Sequence, residues 1–196
     1  MLLAIISAAS ILYLKLKVKI QILPILNVFY ICFGDVIFIL NKYQQVALGG
    51  TFDIVHIGHL KLLKKAFEIG SFVVIGVTSD EFVKSILNKK IKNEYFVRVE
   101  FLKEIIKENF KAENYKITKL EESFGPSMTS NEIDCLVVSS ETEKKGKYIN
   151  TIRGRLGLFP IDIVTVDLVL AEDGKPVSST RIRSHEIDKN GFKINN

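Results

Sequence analysis

The stretch LGGTFDIVHIGHL, at positions 48–60, contains two of the chain's three histidines within four residues. The residues around them predict that a strand ends near Leu48 and that a helix begins near Ile57 or Gly58. The free backbone N–H groups and the dipole of a helix's first turn attract anions. His56 and His59 lie on that turn, so both rings can face the same anion. The spacing therefore favours a nucleoside triphosphate bound at the start of the helix.

Small residues surround the two histidines. Gly49 and Gly50 let the backbone turn and approach a bulky ligand without a side-chain clash. Gly58 leaves room for a flat ring such as adenine, and Thr51 offers a hydroxyl group to a second phosphate. Two other interpretations of the bare histidine pair stay open at this point. One is a helix that begins with two surface histidines, and the other is a metal site, for which no third ligand is suitably spaced.

Strands and helices alternate on both sides of the segments that carry the polar residues. The predicted strands are YQQVALGG, SFVVIGV, YKITKL, DCLVV and PIDIVTVDLVL. Four helices are predicted: one after the histidine pair, one after the segment TSD, one from about Glu94 and one from Glu143. The helix from Glu94 has its apolar row at Val97, Phe101 and Ile105. This order implies an α/β, Rossmann-like fold with a parallel sheet of about five strands and helices on both faces.

Four polar segments follow predicted strand ends, and ligands of such sheets bind beyond the carboxyl ends of the strands. The segments are GGTFDIVHIGH, TSDEF, VSSETE and AEDGKPVSSTRIR. We expect them to converge on one edge of the sheet.

Composition excludes several classes of protein. The 196 residues are 47% hydrophobic, which is enough for a real core and argues against disorder of the whole chain. The net charge is +5, of which residues 1–42 hold +3, so bulk charge gives little support for nucleic-acid binding. Cys32 and Cys135 are too far apart in sequence to form a disulfide framework or a metal-ligand pair, which suggests a reducing compartment.

Residues 1–42 form a hydrophobic N-terminal extension to a domain expected at 43–196. Three interpretations compete: an over-long start translated from upstream DNA, a membrane anchor or peripheral segment, and an added strand. The run at 20–40 is long enough to span a membrane but contains Gln21, Pro24, Asn27 and Asp35. The alternating YLKLKVKIQI favours the strand. A secretory signal is not supported, because no charged start precedes the apolar run.

Two segments resemble the signatures of the nucleotidyltransferase superfamily. GGTFDIVHIGH matches its T/GTFDxxHxGH pattern, and VSSTRIR, at 177–183, resembles its ISSTxIR pattern. Within the superfamily, the chain most resembles the archaeal and eukaryotic-type phosphopantetheine adenylyltransferases, over nearly all of residues 45–189. One departure is SHEID, where members of that family often have a glycine in place of His185; we treat it as tolerated variation.

The resemblance implies transfer of AMP from ATP to 4′-phosphopantetheine, giving dephospho-coenzyme A and pyrophosphate. It implies that His59 stabilises the transition state and that Thr51 holds the reacting phosphate. A lysine should grip the phosphates, with Lys84 preferred over Lys89 and Lys90. The implied ATP-binding residues are Gly50, Phe52, His56, Ser139, Ser178, Ser179, Thr180, Arg181 and Arg183. Magnesium is expected to be held mainly by the ATP phosphates, with no metal ligands from the protein.

Other residues near these motifs have structural interpretations. Ser139 is equally suited to cap the helix that follows it. Asp53 is expected to orient its loop, and Arg98 to form a salt bridge from its helix.

Three other functions compete with the one that the resemblance implies. The first is transfer of an adenylyl or cytidylyl group to another phosphorylated acceptor, such as a flavin phosphate. The second is nucleotide binding without turnover, and the third is a membrane-tethered form of the enzyme. We expect a cytoplasmic monomer or small homo-oligomer, with membrane contact only if residues 1–42 are part of the protein.

Overall fold

The computed structural model describes residues 19–23, 28–33 and 36–194. The chain divides into two compact units, Met1–Tyr43 and Gln44–Asn196. A strand at Lys19–Leu23 overlaps the end of the alternating segment, one of the three interpretations of residues 1–42. The expectation of an over-long start falls largely on residues 1–18, which lie outside the described residues.

The first unit contains a three-stranded antiparallel sheet. Its strands are β1 (Lys19–Leu23), β2 (Val28–Phe33) and β3 (Val36–Asn41), paired in the order β1-β2-β3. Across the parts of the chain that the structure describes, no helix is both long and apolar enough to cross a membrane.

The second unit is built on the parallel five-stranded sheet that the alternating pattern predicts. Its strands are β4 (Tyr43–Gly50), β5 (Gly70–Thr78), β6 (Tyr115–Leu120), β7 (Cys135–Ser139) and β8 (Asp162–Val166). They lie in the order β6-β5-β4-β7-β8, with parallel pairing in β5–β6, β4–β7 and β7–β8. The strand order therefore reverses at β4, and such a reversal is where ligands bind in open α/β sheets.

Helices connect the strands of this sheet. In the described residues they are α1 (Ile57–Ile69), α2 (Asp80–Ser85), α3 (Tyr95–Phe110), α4 (Glu143–Arg155) and α5 (Ser179–Arg183), with a 3₁₀ turn at Gly125–Met128. α1 buries Leu63, Ala66 and Ile69, as its apolar periodicity predicts. Ile149 of α4 packs in one core cluster with Ala47 of β4.

The predicted buried row of α3 was wrong. Val97 and Phe101 are exposed by 42% and 49%, and the buried residues are instead Val99, Leu102 and Ile106, together with Arg98. The helix is rotated from the expected orientation because Arg98 turns inward to reach the sheet. The last strand is also shorter than predicted: it ends at Val166, and Leu170 makes only an isolated bridge to Pro176.

Candidate active site

A cavity of about 840 Å³ lies at the carboxyl ends of the central strands. Its lining includes the loop after β4, the first turn of α1, Ser139 at the end of β7 and the start of α5. The polar segments predicted to meet at one sheet edge therefore do meet. The cavity is within the 300–1,000 Å³ range that is usual for sites that take a nucleotide or a similar ligand.

His56 and His59 form a reciprocal cap at the start of α1. His56 is the N-cap residue, and its Nδ1 accepts a hydrogen bond from the backbone N–H of Gly58 at 3.2 Å. The Nδ1 of His59 accepts one from the backbone N–H of His56 at 3.4 Å. This arrangement is a capping box built from two imidazoles. Because Nδ1 is the acceptor in both, a neutral ring carries its proton on Nε2, which is then a donor.

Burial keeps both imidazoles neutral. Burial lowers the pKa of His56 to about 4, and the pKa of His59 to about 3, with the neighbouring His56 contributing to the second shift. The ring centroids are 3.9 Å apart, so two charged rings would repel each other strongly. At neutral pH the cavity therefore offers two neutral N–H donors, which excludes the interpretation as surface histidines.

Glycines at positions 50 and 58 allow aromatic rings to approach the backbone closely. A Cβ at Gly58 would lie 3.1 Å from the His56 ring, so the imidazole lies close against this glycine, which also lines the cavity. A Cβ at Gly50 would lie 3.0 Å from the ring of Phe52. Phe52 is itself buried beside His59, with ring centroids 5.0 Å apart, and has a positive φ of 51°.

Asp53 anchors the loop between β4 and α1, as the sequence predicts. It accepts hydrogen bonds from the backbone N–H groups of Lys92 and Asn93, at 2.9 Å each, and from Arg183 Nη2 at 2.8 Å. Burial alone would raise the pKa of this carboxyl group, but these donors hold it below its usual value. Asp53 is therefore an ionised structural carboxylate whose oxygens are already used.

The second signature segment is fastened to the first. Ser178 caps α5 by accepting from the backbone N–H of Arg181, and Ser179 Oγ donates to the Ile54 carbonyl at 3.0 Å. Together with the Asp53–Arg183 ion pair, this contact brings the two segments together at one cavity.

The cavity collects most of the residues that the sequence marks as site residues. Lining residues among them are Gly50, Thr51, Phe52, His56, His59, Ser139, Ser178, Ser179, Thr180 and Arg183. Two of the marked residues lie outside the lining. Arg181 is held by Asp173 at 2.5 Å and by Glu186 at 2.9 Å, and Lys84 lies exposed in the last turn of α2.

Three lysines line the cavity: Lys89, Lys90 and Lys145. The first two are the alternatives that the sequence offers for the phosphate-gripping lysine. Lys145 was missed, because it lies in the charged run ETEKKGKY, where no pattern distinguishes one lysine from its neighbours.

No cluster of three or more His, Cys, Asp or Glu side chains that could bind a metal occurs among the described residues. Asp53, the buried carboxylate at the cavity, is committed to Arg183 and to backbone N–H groups. Three further acidic residues line the cavity: Glu122, Glu141 and Asp167.

Known proteins are similar to this chain in both sequence and fold. Residues 47–185 match the cytidylyltransferase-like family model. The phosphopantetheine adenylyltransferase of Methanothermobacter thermautotrophicus is 44% identical over 158 residues, which are 79% of this chain and 92% of the relative. The protein of the same name from Pyrococcus furiosus is 39% identical over 156 residues, covering 79% and 96% of the two chains.

Solved structures agree on the architecture. A protein of unknown function from Archaeoglobus fulgidus has a TM-score of 0.58 and 34% identity, over 63% of this chain and 90% of its own. The tyrosyl-tRNA synthetase of the same organism has a TM-score of 0.55 at 11% identity, over 72% of this chain and 60% of its own, and shows the fold alone. With both signature segments at one cavity and relatives of this identity over nearly their whole length, the chain belongs to the phosphopantetheine adenylyltransferases, within the cytidylyltransferase-like family.

Proposed function

We propose that this chain transfers the adenylyl group of ATP to 4′-phosphopantetheine, giving dephospho-coenzyme A and pyrophosphate. The observation that carries the proposal is the convergence of the first and second signature segments on a single cavity, joined by the Asp53–Arg183 pair. The identity to curated relatives named for this activity supports the choice of acceptor.

The reaction requires positioning more than protein chemistry. An oxygen of the acceptor phosphate attacks the α-phosphorus of ATP, and the bond from that phosphorus to the oxygen bridging to the β-phosphate breaks. Pyrophosphate takes the electron pair and leaves. The nucleophile is already an anionic oxygen, so no protein nucleophile is needed, and catalysis consists of alignment and stabilisation of negative charge.

The lining residues have corresponding roles in the proposal. The Nε2–H groups of His56 and His59 donate to phosphate oxygens, and His59 does so most strongly in the transition state. The Thr51 hydroxyl contacts the reacting phosphate. Ser178, Ser179 and Thr180 contact the β- and γ-phosphates at the start of α5.

Cationic groups at the cavity offset the charge of the triphosphate. Lys89 and Lys90 are better placed than Lys84, because they line the cavity. A magnesium ion held by the ATP phosphates would supply further charge stabilisation. A cytoplasmic location and an assembly no larger than a small homo-oligomer complete the proposal.

Product analysis by mass tests the activity. The purified full-length chain is incubated with magnesium, ATP and CTP in four separate reactions. Each reaction contains one acceptor: 4′-phosphopantetheine, flavin mononucleotide, nicotinamide mononucleotide or glycerol phosphate. Dephospho-coenzyme A together with pyrophosphate, formed only from ATP and 4′-phosphopantetheine, is the expected result. A product from a different acceptor would keep the site chemistry and overturn the substrate, and no product from any acceptor would overturn the reaction.

A further inference from the structure

Arg98 is a fully buried arginine directly behind the loop that carries Thr51. Its Nη1 donates to the Thr51 carbonyl at 2.5 Å, and its Nη2 donates to the Thr78 carbonyl at 2.7 Å. Thr78 ends β5 and Thr51 follows β4, so a single guanidinium ties together the carboxyl ends of two neighbouring central strands.

Asp80 pairs with the guanidinium as well. One carboxylate oxygen accepts from Arg98 Nη2 at 2.8 Å, and the other accepts from the backbone N–H of Tyr95 at 3.0 Å, at the start of α3. Burial would raise the pKa of Asp80, but these hydrogen bonds and the nearby charges of Arg98 and Lys84 lower it, so the partner stays ionised. The two strand ends, α2 and α3 are thus joined by one charged group.

The contact to Thr51 determines how the next peptide group is oriented. The peptide bond between Thr51 and Phe52 is trans, and in a planar trans peptide the N–H points away from the carbonyl oxygen. With its carbonyl held by Arg98, this peptide turns its N–H away from α3. Rotation of the peptide would change ψ of Thr51 and φ of Phe52 together.

The backbone strain at Phe52 favours rotation of this peptide. Its φ of 51° lies in the left-handed region, which a residue other than glycine adopts only when its surroundings impose it. Three kinds of contact constrain this part of the loop: the Arg98 hydrogen bond, the packing of the buried Phe52 ring, and the hydrogen bonds that hold the following residue, Asp53. Without the first, rotation of the peptide toward a negative φ becomes favourable, and it would displace Thr51 at the cavity.

We infer that Arg98 is a positioning residue for the reaction, which acts through the carbonyl of Thr51 and touches no substrate. The inference rests on the proposed function, because its main test measures kcat for the formation of dephospho-coenzyme A. A displacement of about 1 Å in a reacting group commonly reduces turnover about 100-fold. The role is therefore visible in kcat, and is separate from any loss of stability.

Arg98→Lys and Asp80→Asn separate positioning from stability. Lysine keeps the positive charge but has one nitrogen in place of the planar fork, so it cannot hold both carbonyls and Asp80 in the same geometry. The Asp80→Asn change weakens the ion pair but leaves the guanidinium able to reach the carbonyls. We expect kcat to fall about 100-fold in the lysine variant and less than about fivefold in the asparagine variant, although both lower the melting temperature.

The assays measure the folded full-length chain, checked by circular dichroism below each melting temperature. If Arg98→Lys does not fold, Arg98→Gln, which retains one N–H donor group, is measured in its place. Equal kcat losses in the position-98 and Asp80→Asn variants, or a wild-type kcat in the position-98 variant, would overturn the inference. Wild-type protein that forms no dephospho-coenzyme A would overturn the proposed function instead. In that case, calorimetry of ATP binding tests the role of the hydrogen bond between Arg98 and the Thr51 carbonyl. We expect Arg98→Lys to weaken the affinity for ATP at least tenfold, and an unchanged affinity would overturn the inference.

Discussion

Asp53 and Arg183 form an ion pair at 2.8 Å across a separation of 130 residues, and each belongs to a different signature segment. The Asp53 side chain is almost fully buried, whereas that of Arg183 is 28% exposed and lines the cavity. The pair therefore joins the two segments at the cavity.

Asp53→Asn should destabilise the protein by about 2 kcal/mol, because it leaves Arg183 without a charged partner and turns an N–H₂ group toward backbone donors. Denaturant unfolding measures the change. Lys147→Ala is the matched control, since it removes an exposed i,i+4 pair with Glu143 that should contribute less than about 0.5 kcal/mol. Equal losses in the two variants would mean that the 53–183 pair contributes no more than a surface pair.

His59→Gln should remove the proposed transition-state contact while preserving the helix cap. Glutamine is a usual residue at this position of a capping box, so its side-chain oxygen can accept from the backbone N–H of His56. We expect kcat to fall about 100- to 1,000-fold, with the KM for ATP changed only severalfold. Steady-state kinetics at saturating acceptor measure both, and a near-normal kcat would rule out this role for His59.

The buried His56 ring and the half-buried His59 ring should make the protein sensitive to mild acid. Their folded-state pKa values of about 4 and about 3 lie below the value of 6.5 in the unfolded chain. The unfolded state therefore binds more protons between these values, so stability is complete above pH 6.5 and is lost as the pH falls toward 4. The loss should be about 1–3 kcal/mol for each ring, within a general acid destabilisation. Between pH 7.5 and 4.5 the free energy of unfolding should decrease less in His59→Gln than in the wild type. His185→Gln is the control, and its decrease should equal that of the wild type.

The cavity lysines should outweigh Lys84 in binding phosphate. Lys89→Ala and Lys90→Ala should together raise the KM for ATP or lower kcat at least tenfold, because both side chains line the cavity. Lys84→Ala, on the exposed surface of α2, should stay within twofold of the wild type. A large loss in Lys84→Ala alone would restore the preference that the sequence suggests.

His185→Gly should stabilise the protein. His185 is exposed and has a φ of 55°, just beyond the end of α5, where glycine is free of the strain that a side chain imposes. The backbone conformation at this position is one that favours glycine. We expect a gain of about 0.5–1 kcal/mol in thermal or denaturant unfolding. A loss would show that the imidazole makes a contact worth more than the strain.

Much of the site follows from the sequence because it lies in local patterns. The strand before the histidine pair and the helix that begins at Ile57 depend on residues within a few positions of each other; the helix begins where the sequence predicts it, and the strand runs two residues past the predicted end at Leu48. Arg98 could not be placed in this way. A charged residue between apolar ones predicts a solvent-facing position. Burial of Arg98 becomes favourable because the fold brings the Thr51 and Thr78 carbonyls and the Asp80 carboxylate to its guanidinium.

The same limit applies to the arginines of the second segment. Arg181 and Arg183 look equivalent in sequence, yet one is bound by Asp173 and Glu186 and the other by Asp53. Their separation depends on which carboxylates the fold brings near, which is information from distant parts of the chain.

The 130-residue separation of Asp53 and Arg183 also affects how the protein is made. During synthesis, the loop that carries Thr51 leaves the ribosome roughly 10 s before the segment that fastens it, at ordinary elongation rates of about 5–20 residues per second. Until β7 has been synthesised, the edge of β4 that pairs with β7 is also unpaired. A nascent chain therefore cannot complete the cavity until the segment that carries Arg183 has emerged, so ATP should bind and stabilise the protein only after that point.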